Sequence, residues 1–223
     1  MLKITKKEII PIVIILFAFT LGIAFLLAPC VPNKFPTHWN YQGNVDGWSS
    51  KSFATMFFPS LILAIYVLML LLPKFDPMRH NYQHFAGPYY AIRLALVLFL
   101  SAIFTFTLFA GIGFKWNIMY FMLSMMGSLF VIMGFALPKI KRNFFVGIRT
   151  PWTLQSDEVW EKTHQYSGKV FIVVGILSFL TMFLGDWAFP IFMILVAGAA
   201  FLTMAYSYYI YKKLGLFHKD DFK

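Results

Sequence analysis

Long apolar runs alternate with short polar segments along this chain. Six runs are long enough, or nearly so, to cross the roughly 30 Å hydrocarbon core of a bilayer, which takes about 20 residues of α-helix. These runs cover residues 9–29, 53–73, 89–113, 118–138, 169–185 and 188–211. The pattern predicts an all-α integral membrane protein with six transmembrane helices, of which the fifth is the shortest.

Proline and glycine positions refine these spans. Pro59 lies inside the second span and is expected to kink it. Gly185 ends the fifth span and Pro190 falls near the first turn of the sixth, so these two spans are expected to form a tight hairpin. Glycines also recur seven residues apart, in positions that allow close helix packing: Gly127 with Gly134, and Gly168 with Gly175.

The basic residues predict the direction of insertion, because lysine and arginine resist translocation. With the N-terminus inside, only Lys34, Lys51 and Lys115 of the 19 lysine and arginine residues lie outside. The other sixteen are then cytoplasmic: Lys3, Lys6, Lys7, Lys74, Arg79, Arg93, Lys139, Lys141, Arg142, Arg149, Lys162, Lys169, Lys212, Lys213, Lys219 and Lys223. The opposite direction would invert this asymmetry, so both termini are predicted to be cytoplasmic.

Composition narrows the class of protein. Hydrophobic residues make up 60% of the chain and charged residues only 13%, which is far from the composition of a soluble domain. A net charge of +10 is common among nucleic-acid-binding proteins, but here the basic residues lie between apolar runs and form no basic domain. Direct binding of nucleic acid is therefore not predicted.

The apolar runs contain almost no ionisable residues. Ion-coupled carriers usually place such a residue at mid-membrane. Arg93 lies only one turn inside the third span, and its side chain is expected to snorkel to the cytoplasmic face. A proton-coupled transporter is therefore disfavoured, whereas a channel or a lipid-handling transporter of unknown substrate stays open as an alternative function.

Enzymatic chemistry has no recognisable constellation in this sequence. No nucleophile with a base, carboxylate pair or metal-ligand set occurs at a familiar spacing. His80 and His84 lack a third ligand, and Cys30, as the only cysteine, excludes an intramolecular disulfide. The chain is predicted to be non-enzymatic, with no catalytic residue, cofactor or metal.

The first polar segment lies between the first two spans, on the predicted outer side. Gly43-Asn44 and Asp46-Gly47 are turn signals that lie close together, with aromatic residues on both sides. A compact connection is therefore expected, either as a folded link that fixes the two spans or as a surface for an extracellular ligand. His38 with Asp46 makes a poor metal or acid–base site.

The second polar segment, residues 139–168, lies between the fourth and fifth spans on the predicted cytoplasmic side. Gly147 permits a turn, and Pro151 should hold Thr150 extended. Ser156 is expected to cap a short amphipathic helix that runs toward the fifth span.

Arg149 is the strongest candidate for a functional residue in this loop. It is suited to an anionic lipid headgroup, a peptide carboxylate or an acidic partner. It is equally suited to hydrogen-bonding carbonyls and locking the loop. Trp160 and His164 are four residues apart and are expected to share a helix face.

Both polar segments carry a specific set of residues. The outer one holds Pro36, His38, Trp39, Gly43, Asp46, Gly47 and Lys51. The inner one holds Asn143, Gly147, Ile148, Arg149, Thr150, Pro151, Trp152, Thr153, Leu154, Asp157, Trp160 and Lys169. The inner set closely resembles the signature of the SdpI family of bacterial membrane proteins. The outer set resembles the domain of unknown function that commonly precedes it, and His164 departs from the family pattern, which has asparagine there.

The resemblance implies a function that composition and spacing do not. The family's founding member protects a toxin-producing cell from the secreted peptide SdpC, and it also acts as a receptor that holds a repressor at the membrane. By resemblance, this chain is expected to be a multi-pass immunity and signal-receptor protein of the bacterial plasma membrane. Its expected partners are membrane lipids, an SdpC-like peptide toxin and an ArsR-like repressor at the cytoplasmic face.

The resemblance also suggests a division of the chain. Residues 1–75 would form a two-helix region with the extracellular loop. Residues 76–223 would form an SdpI-like four-helix region with the cytoplasmic loop 139–168. The functional motif would lie in that loop, and toxin specificity would lie in the outer one.

Overall fold

The computed structural model describes residues 6–216. Within this range the helices are α1 (Ile9–Leu27), α2 (Lys51–Phe75), α3 (Ala86–Gly111), α4 (Ile118–Ala136), α5 (Pro151–Gln155), α6 (Asp157–Thr181) and α7 (Ala188–Lys213). Strands β1 (Lys34–Trp39) and β2 (Val45–Ser50) form one antiparallel hairpin. Turns of 3-10 helix cover Lys6–Glu8, Arg79–Phe85, Leu137–Lys139 and Met182–Trp187. The charge predictions for Lys3, Lys219 and Lys223 fall outside the described residues.

The long helices confirm a multi-pass membrane fold. Among the described residues, five helical stretches are long and apolar enough to cross a membrane by length and composition. The fifth, Asp157–Lys213, contains both α6 and α7. These two helices pack against each other across a kink at Gly185, whose φ is 55°, and thus form the tight hairpin that was predicted. The direction of insertion stays a prediction.

The long helices pack in two groups of three. The first group contains α1, α2 and α3, and the second contains α4, α6 and α7. The groups meet along α3 and α4. Because α3 packs on both α2 and α4, the division of the chain near residue 75 stays a prediction.

The closest helix packing joins α4 to α6, and glycine makes it possible. A Cβ added at Gly134 would lie 2.8 Å from the Gly168 carbonyl oxygen, and one at Gly127 would lie 2.9 Å from that of Gly175. The reciprocal contacts are equally short. The prediction that these four glycines serve close packing is confirmed.

Two features differ from the sequence analysis in their extent. The predicted short amphipathic helix and the fifth span are one unbroken helix, α6, which begins at Asp157. Ser156 caps it as predicted, because its side chain accepts the Val159 N–H. Pro59 lies inside α2, which is continuous from Lys51 to Phe75, and the kink there stays a prediction.

Arg93 does not snorkel, and that expectation was wrong. Its side chain is only 2% exposed and forms an ion pair with Glu8, which is 6% exposed. The Tyr66 hydroxyl donates to the other Glu8 oxygen at 2.8 Å, and the Tyr89 ring lies 5.0 Å from the guanidinium carbon. Since Glu8 precedes α1, this pair joins the start of α1 to α2 and α3 in the protein interior.

Candidate functional site

We call the part of the structure formed by residues 137–156 and Asp76–Phe85 the loop end, and the opposite part, which carries β1 and β2, the hairpin end. Asn143 organises the loop end and is fully buried. Its Oδ1 accepts the N–H groups of Phe145 at 2.9 Å and Val146 at 2.7 Å. Its Nδ2 donates to the carbonyls of Lys141 and Val146, both at 2.9 Å. Such complete pairing holds the loop in one conformation without secondary structure.

Asp76 is a second organising residue, which the sequence analysis missed. It is 2% exposed. Its Oδ2 accepts the Phe144 N–H and the Tyr82 hydroxyl, each at 2.9 Å, and its Oδ1 accepts the Met78 N–H at 2.7 Å. The only local signal was an aspartate before Pro77 at the end of an apolar run, which is typical of an ordinary turn.

Gly147 makes the closest approach in the loop. Its φ of 116° suits glycine, and a Cβ there would collide with the His164 ring. That ring accepts the Ile148 N–H through Nε2 at 3.0 Å, while Nδ1 lies 2.8 Å from the Trp160 carbonyl oxygen. Because Nε2 must accept the Ile148 N–H, Nδ1 carries the proton and the ring is neutral. His164 therefore links α6 to the loop through these two hydrogen bonds.

Trp160 completes this contact. Its ring is fully buried and stacks on His164, with ring centroids 4.1 Å apart. Its Nε1–H donates to the Ile140 carbonyl at 2.8 Å. The predicted shared face of Trp160 and His164 is confirmed, and it holds both ends of the loop against α6.

Replacing His164 tests how much this link between α6 and the loop contributes to stability. The alanine variant leaves the Ile148 N–H without an acceptor and opens a cavity, so it should lower the free energy of unfolding by about 2–4 kcal/mol. His164→Asn keeps an acceptor and a donor and should lose less than half as much. Thermal unfolding of both variants in detergent shows which of the two loses more stability. Equal losses for the two variants would contradict the hydrogen-bonding role.

The segment Thr150–Leu154 forms a self-capped turn of helix. Thr150 is extended, as predicted from Pro151, and its Oγ1 accepts the Thr153 N–H while Thr153 Oγ1 accepts the Thr150 N–H. The Thr150 hydroxyl also donates to the Ser207 hydroxyl on α7 at 3.0 Å. The capping box therefore stabilises α5 and also ties it to the last helix.

Trp152 and Leu154 fix the outside of α5. The Trp152 ring packs edge-on against Tyr208, with centroids 5.1 Å apart. The Leu154 carbonyl accepts from Arg142 at 3.0 Å, and Arg142 forms an ion pair with Asp157 at 2.8 Å. The Arg142 side chain thus joins the beginning of the loop to the end of α5 and the start of α6.

Arg149 is exposed on this loop. Its Nη1 donates to the Phe144 carbonyl at 2.6 Å, which closes the turn around Gly147. The remainder of the guanidinium lies at the surface. Arg149 therefore has one structural contact and also presents a positive charge.

A polar recess of about 430 Å³ lies beside the loop. Its lining includes His80 and His84 and the ion pair of Lys141 with Glu161, 2.6 Å apart. Within residues 6–216, no three histidine, cysteine, aspartate or glutamate side chains come together as metal ligands. The recess is a charged surface at the loop end.

The outer segment folds as a β-hairpin, which the sequence analysis did not predict. Pro36 pairs with Trp48 across the strands, and irregularities in register follow on either side of His38. Gly43, with a φ of 84°, closes the turn by donating to the Asn40 carbonyl at 2.9 Å. The alternating polar and aromatic residues are therefore strand residues.

Side chains fix the hairpin to the helices. Lys51 Nζ donates to the Ala28 carbonyl at 2.6 Å, at the end of α1. Phe35 is fully buried, and its ring lies directly on Gly111 of α3. The Trp39 ring packs edge-on against Phe106, with centroids 5.6 Å apart. The compact connection that was predicted is confirmed.

His38 and Asp46 pair on the exposed side of the hairpin. Nδ1 lies 2.5 Å from Oδ1, and the two side chains are 72% and 45% exposed. Gly47 lies opposite His38, where a Cβ would approach the His38 Cβ at 2.8 Å. An exposed pair of this kind contributes about 1 kcal/mol or less, so it orders the turn and carries little of the stability.

Both polar segments correspond to regions that are shared with known proteins. Residues 139–207 match the model of the SdpI/YfhL protein family. Over these residues the chain is similar to the SdpI family. The model described as Domain of unknown function (DUF1648) matches residues 15–63, which span the hairpin end.

A relative of this chain carries a functional name. The chain is 29% identical over 211 residues to the protein named Immunity protein SdpI of Bacillus subtilis (strain 168), and the alignment covers 94% of this chain and 98% of the relative. No solved structure matches the chain. Together with the spanning helices, the matches indicate a multi-pass plasma-membrane protein that is similar to a protein named as an immunity protein.

The region that matches the SdpI/YfhL model and the loop end coincide only in part. The matched residues 139–207 include the whole motif around Arg149 and both partners of the Thr150–Ser207 hydrogen bond. Asp76, which anchors the same loop, lies outside them. A motif read from the loop alone therefore finds the loop's own residues but not this distant anchor.

Proposed function

We propose that this chain protects the cell that makes it from a secreted, SdpC-like peptide toxin, and that it does so without enzymatic chemistry. The relative named as an immunity protein supports the proposal, since the similarity covers nearly all of both chains. The toxin is engaged at the hairpin end, which the charge asymmetry predicts to be outside the cell.

One observation carries this proposal: the hairpin is rigidly fixed and yet presents exposed aromatic side chains. Phe35 and Lys51 tie it to α3 and α1. Tyr41 is 56% exposed and Trp48 is 60% exposed. Preformed aromatic anchors lose little entropy on binding and dominate the energetics of interfaces. The hairpin thus has the character of a recognition surface.

Survival of a toxin-sensitive cell tests this function. Expression of the wild-type protein should allow growth in the presence of SdpC or a related peptide. Trp48→Ser should raise the sensitivity about tenfold or more, the effect expected of one lost interface anchor. The matched control is Trp187→Ser, because Trp187 is 69% exposed but lies outside the hairpin.

Membrane abundance of each protein must be equal by immunoblot. Equal protection by the Trp48→Ser and Trp187→Ser variants would show that the hairpin does not recognise the toxin. The wild-type protein could also protect against none of the peptides and yet support a solute or lipid flux in liposomes. That outcome would contradict the immunity function and favour a channel or lipid-handling transporter.

The proposed orientation has its own test, because Cys30 is the only cysteine and is exposed between α1 and β1. A membrane-impermeant maleimide should label it in intact cells. A Cys30→Ser, Glu158→Cys variant moves the thiol to the first turn of α6, next to the loop end, and should be labelled only after lysis. Labelling of the second variant in intact cells would contradict the orientation.

The signalling role, in this proposal, belongs to the loop end. Toxin engagement would make the cytoplasmic surface a docking site for an ArsR-like repressor. The exposed charge of Arg149 and the ion pairs around the neighbouring recess support such a role, because exposed polar residues on an ordered loop are suited to recognition. The buried residues Asn143 and Asp76 would keep that surface in one conformation.

A further inference from the structure

A groove lies beneath the hairpin, where the two groups of helices meet. Its volume is about 530 Å³, within the range of sites for small ligands. Its walls come from α2, α3, α4 and α7, and include Phe58, Ile103, Phe106, Met122 and Phe189. The groove therefore lies on the spanning helices at the hairpin end.

The surroundings of the groove decide what can fill it. Phe189 is 37% exposed, and Phe58, Ile103 and Met122 are half-buried, so the walls reach the lipid-facing surface. Within a bilayer the molecules at that surface are acyl chains, and water does not fill an apolar cavity. An apolar chain entering from the membrane matches these walls.

One polar group in the wall lacks a partner among the described residues. Thr107 lines the groove and is fully buried, and its hydroxyl forms no hydrogen bond within residues 6–216. Thr107 lies four residues before the end of α3 at Gly111, which is about 6 Å along the helix axis. That depth suits the boundary between acyl chains and headgroups, where the ester carbonyls of a phospholipid are acceptors.

The roof of the groove completes an amphipathic site. Thr37, His38 and Asn40 of the hairpin lie over it and offer hydrogen-bonding groups at headgroup level. An extended peptide is less suited to this place. Pro36 lacks an N–H, and the register is irregular on both sides of His38, so the edge of β1 is poorly shaped to accept a third strand.

We propose that this groove binds one acyl chain of a membrane phospholipid, with the Thr107 hydroxyl donating to an ester carbonyl. The lipid fills the junction between the two groups of helices and supports the hairpin from below. The lining of this site includes Tyr41 but not Trp48, and the proposal does not depend on the proposed immunity function.

Photocrosslinking in vesicles tests the proposal. The full chain is reconstituted in phosphatidylcholine and phosphatidylglycerol vesicles that contain phosphatidylglycerol with a diazirine in one acyl chain. After illumination, mass spectrometry should find adducts concentrated at Phe106 and Met122. Phe135 and Ile194, which are 61% and 69% exposed outside the groove, report ordinary lipid contact and should carry fewer.

Variants separate a specific site from general lipid contact. Met122→Trp fills the groove and should abolish most groove adducts, whereas Met193→Trp, on a 47% exposed residue of α7 outside it, should not. Thr107→Val should lower groove labelling about threefold to tenfold, the effect of one net hydrogen bond. Unchanged adducts at Phe135 would show that each variant is folded.

Two outcomes would overturn the proposal. The first is labelling spread evenly over the lipid-facing surface and unchanged by Met122→Trp. The second is a groove that the lipid probe does not label but that an apolar hexapeptide carrying the same diazirine does, which would make it a peptide site.

Discussion

Leucine in place of Gly134 should lower the free energy of unfolding by about 3 kcal/mol or more. A Cβ there would lie 2.8 Å from the Gly168 carbonyl oxygen and 2.9 Å from the Ile172 backbone nitrogen. Because these are backbone atoms, α4 and α6 must separate to admit the side chain. Thermal unfolding in detergent should show a midpoint roughly 6–12 °C lower than that of the wild type.

Gly198→Leu is the matched control, because a Cβ at Gly198 meets, among the described residues, no atom within 4 Å beyond its chain neighbours and the nearby backbone of its own helix. The same chemical change on α7 should leave the midpoint within about 2 °C or raise it slightly, since leucine favours a helix more than glycine does. If both variants lost the same stability, the cause would be the residue type and not the α4–α6 contact.

Removing one partner of the Glu8–Arg93 pair should cost about 3–5 kcal/mol. Both side chains are buried, so Glu8→Leu leaves an uncompensated guanidinium in the interior, and Arg93→Leu leaves a carboxylate. Replacing both by leucine removes both charges, and the double variant should recover much of the loss. The measurement is a double-mutant cycle on unfolding in detergent.

A pair on the surface provides the comparison. Lys162 and Glu158 lie 2.7 Å apart but are 45% and 57% exposed, so Lys162→Leu should cost about 1 kcal/mol or less. Losses for Glu8→Leu and Arg93→Leu that simply add in the double variant would show that the two groups are not coupled.

The two pairs of charges show how depth changes the value of the same interaction. Water screens the surface pair, and long side chains lose entropy when they are held in place. In the interior, no water is available to solvate the charge that remains when one partner is removed. The start of α1 is therefore held by Arg93 and by Tyr66, which also donates to Glu8.

The local conformation of the loop motif could be read from the sequence because its signals are local. The extended backbone of Thr150 follows from the ring of Pro151, and the positive φ of Gly147 suits a residue without a side chain. Ser156 caps α6 with its own side chain. Each of these outcomes depends on residues within a few positions, so pattern and stereochemistry determine them.

The role of Arg149, in contrast, could not be read from local signals. Its contact with the Phe144 carbonyl depends on how the whole turn folds. That fold depends in turn on Asp76, which accepts the Phe144 N–H from 68 residues away. No local pattern encodes such a contact.

By itself, the sequence determined the apolar runs that form membrane helices, the caps and turns of the loop, and the small residues available for close packing. These follow from bilayer thickness, backbone stereochemistry and side-chain size. Only the tertiary structure decided that Glu8 meets Arg93, that Phe35 covers Gly111, and that the outer segment pairs as strands. Each of those contacts joins residues that are distant in sequence or depends on strand register, and their energy comes from burial that exists only after the helices have packed.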